Sequence, residues 1–174
     1  MPPAEAGCRP RGASFPVLVL LLCSCSHYST SGGLVGGIRT VAIPTAENGT
    51  PEVDIAQRLT DRVTEAFLED GRLRVVDEES ADAVLLLRLD RLEDQPLIHT
   101  AAEVTEQYRF RLFGAALLER TSDGGELLEI ESLVGWGTYD AARPDGDDEG
   151  RDQAVEAAMA MFVEEIVDRT TASW

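Results

Sequence analysis

Three arginines on two predicted strands could bind a phosphate or another anion. Arg88 lies in "ADAVLLLRLDRLE", and Arg109 and Arg111 lie in "VTEQYRFRLFGAALLER", where each alternates with apolar residues. We expect all three to project from one open face of a sheet, where guanidinium groups can grip phosphate in a bidentate manner. The alternative is that they pair with acids such as Asp90 on a wet surface, where an ion pair contributes little.

A second pattern, close to the C-terminus, could bind a cation. Its members occupy positions 1, 3, 5, 6 and 12 of a calcium loop: Asp145, Asp147, Glu149, Gly150 and Glu156. However, Pro144 stands where an entering helix should be, and Asp152 occupies position 8, which is normally apolar. We therefore interpret the segment as a solvated loop that leads into an N-terminally acidic helix, and we predict no metal site.

The first 25 residues have the features of a cleaved leader. Arg9 and Arg11 precede an apolar run over residues 15–22, which is too short for the roughly 20 residues that a membrane-spanning helix needs. Its length is typical of the central region of a signal peptide. The alternative to a leader is an uncut N-terminal strand.

The stretch "LCSC" at the end of the leader resembles the bacterial lipobox. Leu22 stands three positions before Cys25 and Ser24 directly before it, whereas Cys23 follows a bulky leucine and fits less well. By that resemblance the chain is cut before Cys25, which carries a thioether-linked diacylglycerol and, on its freed amine, a fatty acid such as palmitate. The alternative is an ordinary cleaved signal peptide with incidental cysteines.

The lipobox resemblance implies a membrane anchor rather than a membrane span. Three acyl chains hold firmly, because each buried CH₂ contributes about 0.8 kcal/mol. Ser26 follows Cys25, and the sorting rule of enteric bacteria then predicts the outer membrane, on its periplasmic side. Residues 25–37 would form a lipidated flexible tether between a signal peptide (residues 1–24) and a folded domain (residues 38–174).

The composition argues against several classes of function. The chain carries 32 acidic residues against 15 basic ones, for a net charge of −17, which disfavours binding to nucleic acid or to anionic lipid surfaces in general. Its two histidines are His27, in the tether, and His99, in a predicted loop. No nucleophile in a glycine-flanked turn and no phosphate-binding glycine loop is present, so we predict a protein that is not an enzyme and needs no cofactor.

The remaining pattern predicts a small α+β domain. Residues 38–44 read as a strand, and a helix is expected from an N-cap at Thr50, with Pro51 at its first position, to a stop at Gly71. The stretch "RLRVV", residues 72–76, reads as a short second strand. Three longer strands follow, with these inward residues: Leu85, Leu87 and Leu89; Tyr108, Phe110, Leu112 and Leu118; Leu128, Ile130, Val134 and Trp136. A last amphipathic helix over about residues 150–170 presents Val155, Met159, Phe162 and Ile166.

The turn "DGG", residues 123–125, is predicted to be a three-residue hairpin loop. That loop would place Leu118 opposite Ile130 and Leu112 opposite Trp136. On the open face the same register would place Arg109 opposite Tyr139 and Arg111 opposite Gly137.

We therefore predict a two-layer sandwich in the order β-α-β-β-β-β-α. Two helices cover one face of a mostly antiparallel sheet.

Taken with the leader, the chain resembles the lipopolysaccharide-assembly lipoprotein family, the E components of the lipopolysaccharide transport machine. The shared motifs are a lipobox Cys followed by Tyr (Cys25, Tyr28), a "TVAIP" strand, an Asn-x-Thr-Pro helix start at residues 48–51, "DGRLRVV" and "ADAVL". The resemblance covers roughly Cys25 to the final helix. The family commonly has Cys-Gly-Tyr at the anchor, where this chain has Cys-Ser-His-Tyr.

The resemblance implies an outer-membrane lipoprotein that partners a large β-barrel translocon and helps to insert lipopolysaccharide at the cell surface. No family motif places lipid contacts on this sequence, so the contact prediction for Arg88, Arg109 and Arg111 rests on the residues alone. The alternative function is an auxiliary lipoprotein of another envelope lipid transporter. A hydrolase anchored in the same way is a weaker reading, since no catalytic residues support it.

Overall fold

The computed structural model describes residues 37–99, 105–140 and 149–172. Three long strands in the second half of the chain form most of a single sheet. In chain order the elements are β1 (Thr40–Ala42), β2 (Glu47–Asn48), α1 (Ile55–Asp70), β3 (Arg74–Val75), a 3-10 helix (Glu78–Ser80), β4 (Ala83–His99), β5 (Thr105–Arg120), β6 (Glu126–Asp140) and α2 (Glu149–Thr171).

The strand order in the sheet is β3-β1-β4-β5-β6, and the two-residue β2 pairs with β4. β4, β5 and β6 form an antiparallel meander, while the short pairs made by β1, β2 and β3 are parallel. Both helices pack on one face, so the predicted α+β sandwich and its order are confirmed, with β2 as an added strand. The other face of the meander is left without a covering layer in the part of the chain that the structure describes.

The core lies between the helices and the inward side of the meander. Leu85, Leu87 and Leu89 are buried, as their alternation predicts. Most of the remaining predicted inward residues are buried as well: Phe110, Leu112, Leu118, Ile130, Val155, Met159, Phe162 and Ile166. Each large apolar side chain removed from water in this way stabilises the fold by roughly 1.5–3 kcal/mol.

The start of α1 differs from the prediction, whereas its end agrees. Thr50 is not the N-cap, because the helix begins only at Ile55; the N–H and the hydroxyl of Thr50 donate to the side-chain oxygen of Asn48, at 2.9 and 2.8 Å, and its hydroxyl oxygen accepts the N–H of Glu52 at 3.3 Å. This local turn holds Thr50 outside the helix, and Asp54 is the N-cap. Gly71 ends the helix in the left-handed region at φ 67°, and its N–H donates to the carbonyl of Phe67, as a C-cap glycine does.

The β5–β6 hairpin has a longer loop than predicted. The N–H of Arg120 donates to the carbonyl of Gly125 at 2.8 Å, and the N–H of Gly124 donates to the carbonyl of Arg120 at 2.9 Å. These bonds close a four-residue loop over residues 121–124, in which Gly124 takes a positive φ of 66°. The predicted three-residue loop is therefore wrong, and the strand pairing that depended on it shifts.

The inward positions predicted for Val134 and Trp136 are wrong, because Leu133, Gly135 and Gly137 are the buried residues of this part of β6. Leu112 lies opposite Gly135 rather than Trp136, and an irregularity in the pairing follows between Gly114 and Ala116. Because one residue of slip turns a strand's side chains to the opposite face, Trp136 points outward with 43% of its surface exposed.

Close packing of α2 on β6 explains why glycines occupy the inward positions of that strand. A Cβ built on Gly135 would overlap the carbonyl oxygen of Ala158, and one built on Gly137 would overlap that of Ala154. The helix therefore rests directly on the strand backbone, without a layer of side chains between them at these two positions. This contact requires glycine inward at both sites, so the intervening Trp136 must face the other way.

Candidate functional site

A bulge in β4 assembles the site on the open face of the sheet. Leu89 pairs with Gly114 and Arg91 pairs with Phe113, so Asp90 is an extra residue without a partner of its own. A bulge of this kind reverses the alternation beyond it. Arg91 and the residues that alternate with it therefore lie on the open face, although the unbroken pattern would have turned Arg91 inward.

The open face carries a cluster that we call the basic–aromatic patch. It consists of Arg91, Glu93, Arg109, Arg111, Phe113 and Trp136. The guanidinium carbons of Arg91 and Arg111 lie 3.8 and 4.6 Å from the ring centroid of Phe113. Glu93 bonds to Arg91 at 2.8 Å and lies 3.6 Å from Arg111, so one carboxylate is shared between two cations.

Arg109 differs from the other two arginines of the patch. Its guanidinium carbon lies 4.9 Å from the ring centroid of Trp136. This cation–π contact holds the charged group over β6, the neighbouring strand. Its Nε is buried and has no hydrogen-bond partner. Among the residues that the structure describes, no carboxylate forms an ion pair with Arg109.

The patch concentrates positive charge in an acidic protein. It holds three arginines against Glu93 alone, while the whole chain has a net charge of −17. Guanidinium groups held on aromatic faces suit the bidentate binding of a phosphate or carboxylate. The incomplete pairing of the three cations leaves donors for such an anion.

Arg88 lies on the same strand but is not part of the patch. Its Nε donates to Asp90 at 2.7 Å, and this hydrogen bond raises the pKa of the Arg88 guanidinium. It lines a shallow groove together with Leu86, Ala115 and Leu117. Arg88 is thus paired with a neighbouring acid on an exposed surface, as the alternative interpretation expected, whereas Arg109 is not.

The corrected register changes the neighbours of the two arginines on β5. Arg109 lies opposite Thr138 rather than Tyr139, and Arg111 lies opposite Trp136 rather than Gly137. The one-residue slip explains both differences. It also brings Trp136 onto the arginine side of the sheet, so an aromatic ring that was expected in the core becomes part of the site.

Sequence reasoning missed Arg91, and one signal could have found it. Leucines recur at positions 85, 87 and 89 and then at Leu92, so the spacing of two changes to three at Asp90. A break of this kind within a strand pattern indicates a bulge. A similar change, from Leu128 and Ile130 to Leu133, accompanies the irregularity in β6, but Val134 also fits an unbroken spacing of two and hides it.

A second cluster of charged side chains, centred on one arginine, lies on the helix side of the sheet. Arg151, at the start of α2, donates to Glu52 at 2.7 Å and to Asp94 at 3.2 Å, and the hydroxyl of Tyr139 donates to Asp94 at 2.8 Å. Burial, and then the bond to Asp94, raise the pKa of Tyr139 to about 12. The phenol therefore stays protonated and keeps donating its hydrogen bond. We call the network of Arg151, Glu52, Asp94 and Tyr139 the helix clamp.

The residues predicted outside the patch fall in two groups. Cys25, Asp145 and Asp147 lie outside the described residues. Glu156 lies in α2, where its two carboxylate oxygens bond to Arg58 at 2.5 Å and to Arg62 at 2.6 Å. The bond from Arg58 is the main cause that lowers the pKa of Glu156, and this carboxylate serves to join α1 to α2.

Two further properties concern the described part of the chain. Within residues 37–99, 105–140 and 149–172, no helix is long and apolar enough to cross a membrane. Over the same ranges, no group of three or more His, Cys, Asp or Glu side chains is arranged to hold a metal ion.

The likeness to one solved structure supports the fold. Protein XCC0632 from Xanthomonas campestris shares 15% identity over 74% of this chain and 81% of its own, with a TM-score of 0.53. Rare lipoprotein B from Shewanella oneidensis shares 16% identity over 75% of this chain and 89% of its own, with a TM-score of 0.47. Lipoprotein GNA1162 from Neisseria meningitidis shares 13% identity over 75% and 96%, with a TM-score of 0.44.

Sequence comparison identifies the family. A search of curated proteins finds no match to this chain. The family model described as lipopolysaccharide-assembly, LptE, matches residues 38–170, which include every helix and strand of the sandwich apart from the last residue of α2. The match agrees with the motifs of the first strand and the first helix, and the chain therefore belongs to the lipopolysaccharide-assembly family.

Proposed function

We propose that the chain is an outer-membrane lipoprotein that partners a β-barrel translocon and contacts lipopolysaccharide through the basic–aromatic patch. Family membership over residues 38–170 supports a role in lipopolysaccharide assembly. The lipobox-like stretch before Cys25 supports an anchor of diacylglycerol and fatty acid on the periplasmic side. The protein would act by binding, because lipopolysaccharide assembly moves a lipid and makes no covalent change that this chain has to catalyse.

The single observation that carries the lipid contact is the incomplete pairing of the patch arginines. Lipopolysaccharide carries phosphate groups on its lipid A and core sugars, and phosphate accepts two parallel hydrogen bonds from one guanidinium. Arg109 has no carboxylate partner in the described part of the chain, and Arg111 has only the 3.6 Å approach of Glu93. An anion bound here would supply the acceptors that the folded chain does not.

The aromatic rings of the patch would add to this binding. Trp136 and Phe113 each lie beneath a guanidinium, which orients the charge and limits its access to water. A charge-assisted hydrogen bond contributes roughly 1.5–3 kcal/mol, so each patch arginine that binds a phosphate would oppose the repulsion from the remaining chain. Arg88 would contribute less, because Asp90 already accepts its hydrogen bond.

Charge reversal tests the lipid contact. Arg109→Glu and Arg111→Glu should each weaken binding of purified lipopolysaccharide to the full chain by about tenfold or more, because each removes a phosphate ligand and adds repulsion. The matched control is Arg74→Glu, which makes the same charge change at an exposed site on β3. Equal weakening by all three variants, or none by the patch variants, would remove the patch from the proposal, provided that circular dichroism shows an intact fold.

Purification from the native membrane tests the partner and the anchor. In mild detergent we expect an outer-membrane β-barrel protein to copurify, and mass spectrometry should find an acylated Cys25 at the mature N-terminus. Cys25→Ser should release the protein from the membrane fraction. Recovery with an inner-membrane transporter would favour the auxiliary lipoprotein of another lipid pathway, and recovery alone, with an unmodified thiol, would contradict both.

A further inference from the structure

The outer edge of β6 is unpaired along a long strand. β6 has 15 residues and is the last strand of the sheet, paired only with β5 among the residues that the structure describes. An edge of this length presents a row of backbone donors and acceptors that can pair with another strand. Proteins often protect such edges with proline, charged side chains or β-bulges. β6 contains no proline, and its glutamates and both of its pairing irregularities lie before residue 133, which leaves residues 133–138 regular and uncharged.

Charge divides this edge into two parts. The first part carries Glu126, Glu129 and Glu131, all exposed and without an ion pair in the described chain. Glu126 also lies opposite Glu119 on β5, so the negative charges reinforce one another. Residues 133–138, "LVGWGT", carry no charge. A complementary strand is therefore basic over one half and uncharged over the other.

The rest of the fold holds this edge in place. On one face α2 rests on the backbone of β6 at Gly135 and Gly137. On the other face Trp136 remains 43% exposed and offers a ring against which a side chain of an added strand can pack. The edge is thus a rigid template with a contact surface on its open side.

A second copy of this chain is a poor occupant for the edge. Pairing two β6 strands antiparallel about Gly135 would place Glu131 of one copy opposite Tyr139 and beside Asp140 of the other. The copies would bring together like charges in addition to a net charge of −17 each, and like charges across strands are destabilising. The charge pattern favours a different chain.

We infer that the edge of β6 accepts an extended segment of a partner protein as a further strand. That segment is basic where it runs beside Glu126, Glu129 and Glu131, and uncharged where it runs beside residues 133–138. Backbone hydrogen bonds would supply affinity, and the acidic half of the edge would set the direction and register of the incoming strand. This inference does not depend on lipopolysaccharide binding by the patch.

Synthetic peptides test the inference on the full chain in non-ionic detergent. The probes are decapeptides with arginines at alternate positions in one half and alternating threonine and valine in the other, in both chain directions. We expect one direction to bind at least tenfold more tightly than a scrambled peptide, as measured by fluorescence anisotropy. Its binding should slow amide hydrogen exchange at alternate residues of 133–138.

Two controls separate strand addition from simple charge attraction. The variant Glu129→Arg with Glu131→Arg should weaken binding at least tenfold, whereas Glu78→Arg with Glu79→Arg, the same charge change on the exposed 3-10 helix, should leave it within twofold. Two peptides are N-methylated on the two alternate sets of backbone nitrogens, and the one whose methyl groups face β6 should not bind. Equal binding of that peptide, an equal effect of the control pair, absent protection of residues 133–138, or dimerisation through β6 would each overturn the inference.

Discussion

Two arginines stack on aromatic rings on opposite faces of the same sheet, and their surroundings differ. On the helix side Arg151 lies 5.1 Å from the ring centroid of Phe110 and donates to Glu52 and Asp94. On the open side the guanidinium carbon of Arg109 lies 4.9 Å from the ring centroid of Trp136, and no carboxylate of the described residues forms an ion pair with it. Both guanidinium groups lie over an aromatic ring, but only that of Arg151 is also paired with carboxylates.

The difference separates a structural role from a binding role. The helix clamp satisfies the charge of Arg151, since burial opposes that charge but hydrogen bonds to Glu52 and Asp94 outweigh it and raise the pKa of the guanidinium. Arg151 joins α2 to the sheet, and because its N–H donors already bond to Glu52 and Asp94, few remain for a ligand. Arg109 contributes little to the fold through pairing, which leaves it available for an external anion.

The largest expected effect tests the contact on which the helix side depends. Gly135→Ala places a methyl group against the backbone carbonyl of Ala158, and neither backbone can yield without moving α2 from β6. Overpacking of this kind costs about 1–3 kcal/mol or more, and we expect the upper end, measured by urea unfolding. The control is Gly150→Ala, whose Cβ would meet only the Cβ of Tyr139 at 3.7 Å. Equal stabilities of the two variants would contradict the close packing.

The next effect concerns the helix clamp itself. Arg151→Met keeps the contact with Phe110 but leaves Glu52 and Asp94 without their cation, so we expect a loss of about 1–2 kcal/mol in the free energy of unfolding. Arg88→Met removes an exposed pair with Asp90, which contributes little in water, so we expect a much smaller loss than for Arg151→Met. If thermal or urea denaturation gives the same loss for both, the clamp is no more than a surface pair.

Arg109→Met sharpens the comparison from the open side. The methionine can still pack on Trp136, and the buried Nε that lacks a partner disappears. We expect the free energy of unfolding to change by less than about 0.5 kcal/mol in either direction, while affinity for lipopolysaccharide falls. A loss of stability as large as that of Arg151→Met, in the same urea titration, would show that Arg109 is also structural.

The smallest effect is an acid dependence of the helix layer. The pKa of Glu156 lies below its usual value of 4.5, mainly because Arg58 hydrogen-bonds to its carboxylate. Its contribution to stability is therefore complete above about pH 4.5 and is lost as the pH falls through the folded-state pKa. Glu156→Gln should make acid destabilisation less steep, so that the loss in free energy of unfolding between pH 6 and pH 3 shrinks by less than about 1 kcal/mol, measured by urea unfolding. Glu79→Gln, on the exposed 3-10 helix, should leave that steepness unchanged.

The parts of the fold that the sequence predicted are those that local patterns determine. The alternation of Leu85, Leu87 and Leu89 places one strand face in the core, and Gly71 ends a helix because it can take a positive φ. Arg109 and Arg111 could be assigned to the open face in the same way, from a period of two with Phe110 and Leu112.

The parts that the sequence did not predict depend on contacts between distant elements. Trp136 faces outward because Gly135 and Gly137 must accept the backbone of α2, and that helix begins more than ten residues later. Thr50 lies outside α1 because it takes part in a local turn over residues 48–52, held by the side chain of Asn48. Arg91 joins the patch through a bulge at Asp90, where the leucine spacing gave a local sign that was not used.

The contact between α2 and β6 has a mechanical consequence. Side chains between two elements can change rotamer and absorb a small displacement, but at Gly135 and Gly137 backbone meets backbone. A force applied along β6 would be passed directly to α2, so the strand and the helix would move together. A partner strand that binds to the edge of β6 and shifts it would therefore shift α2 as well.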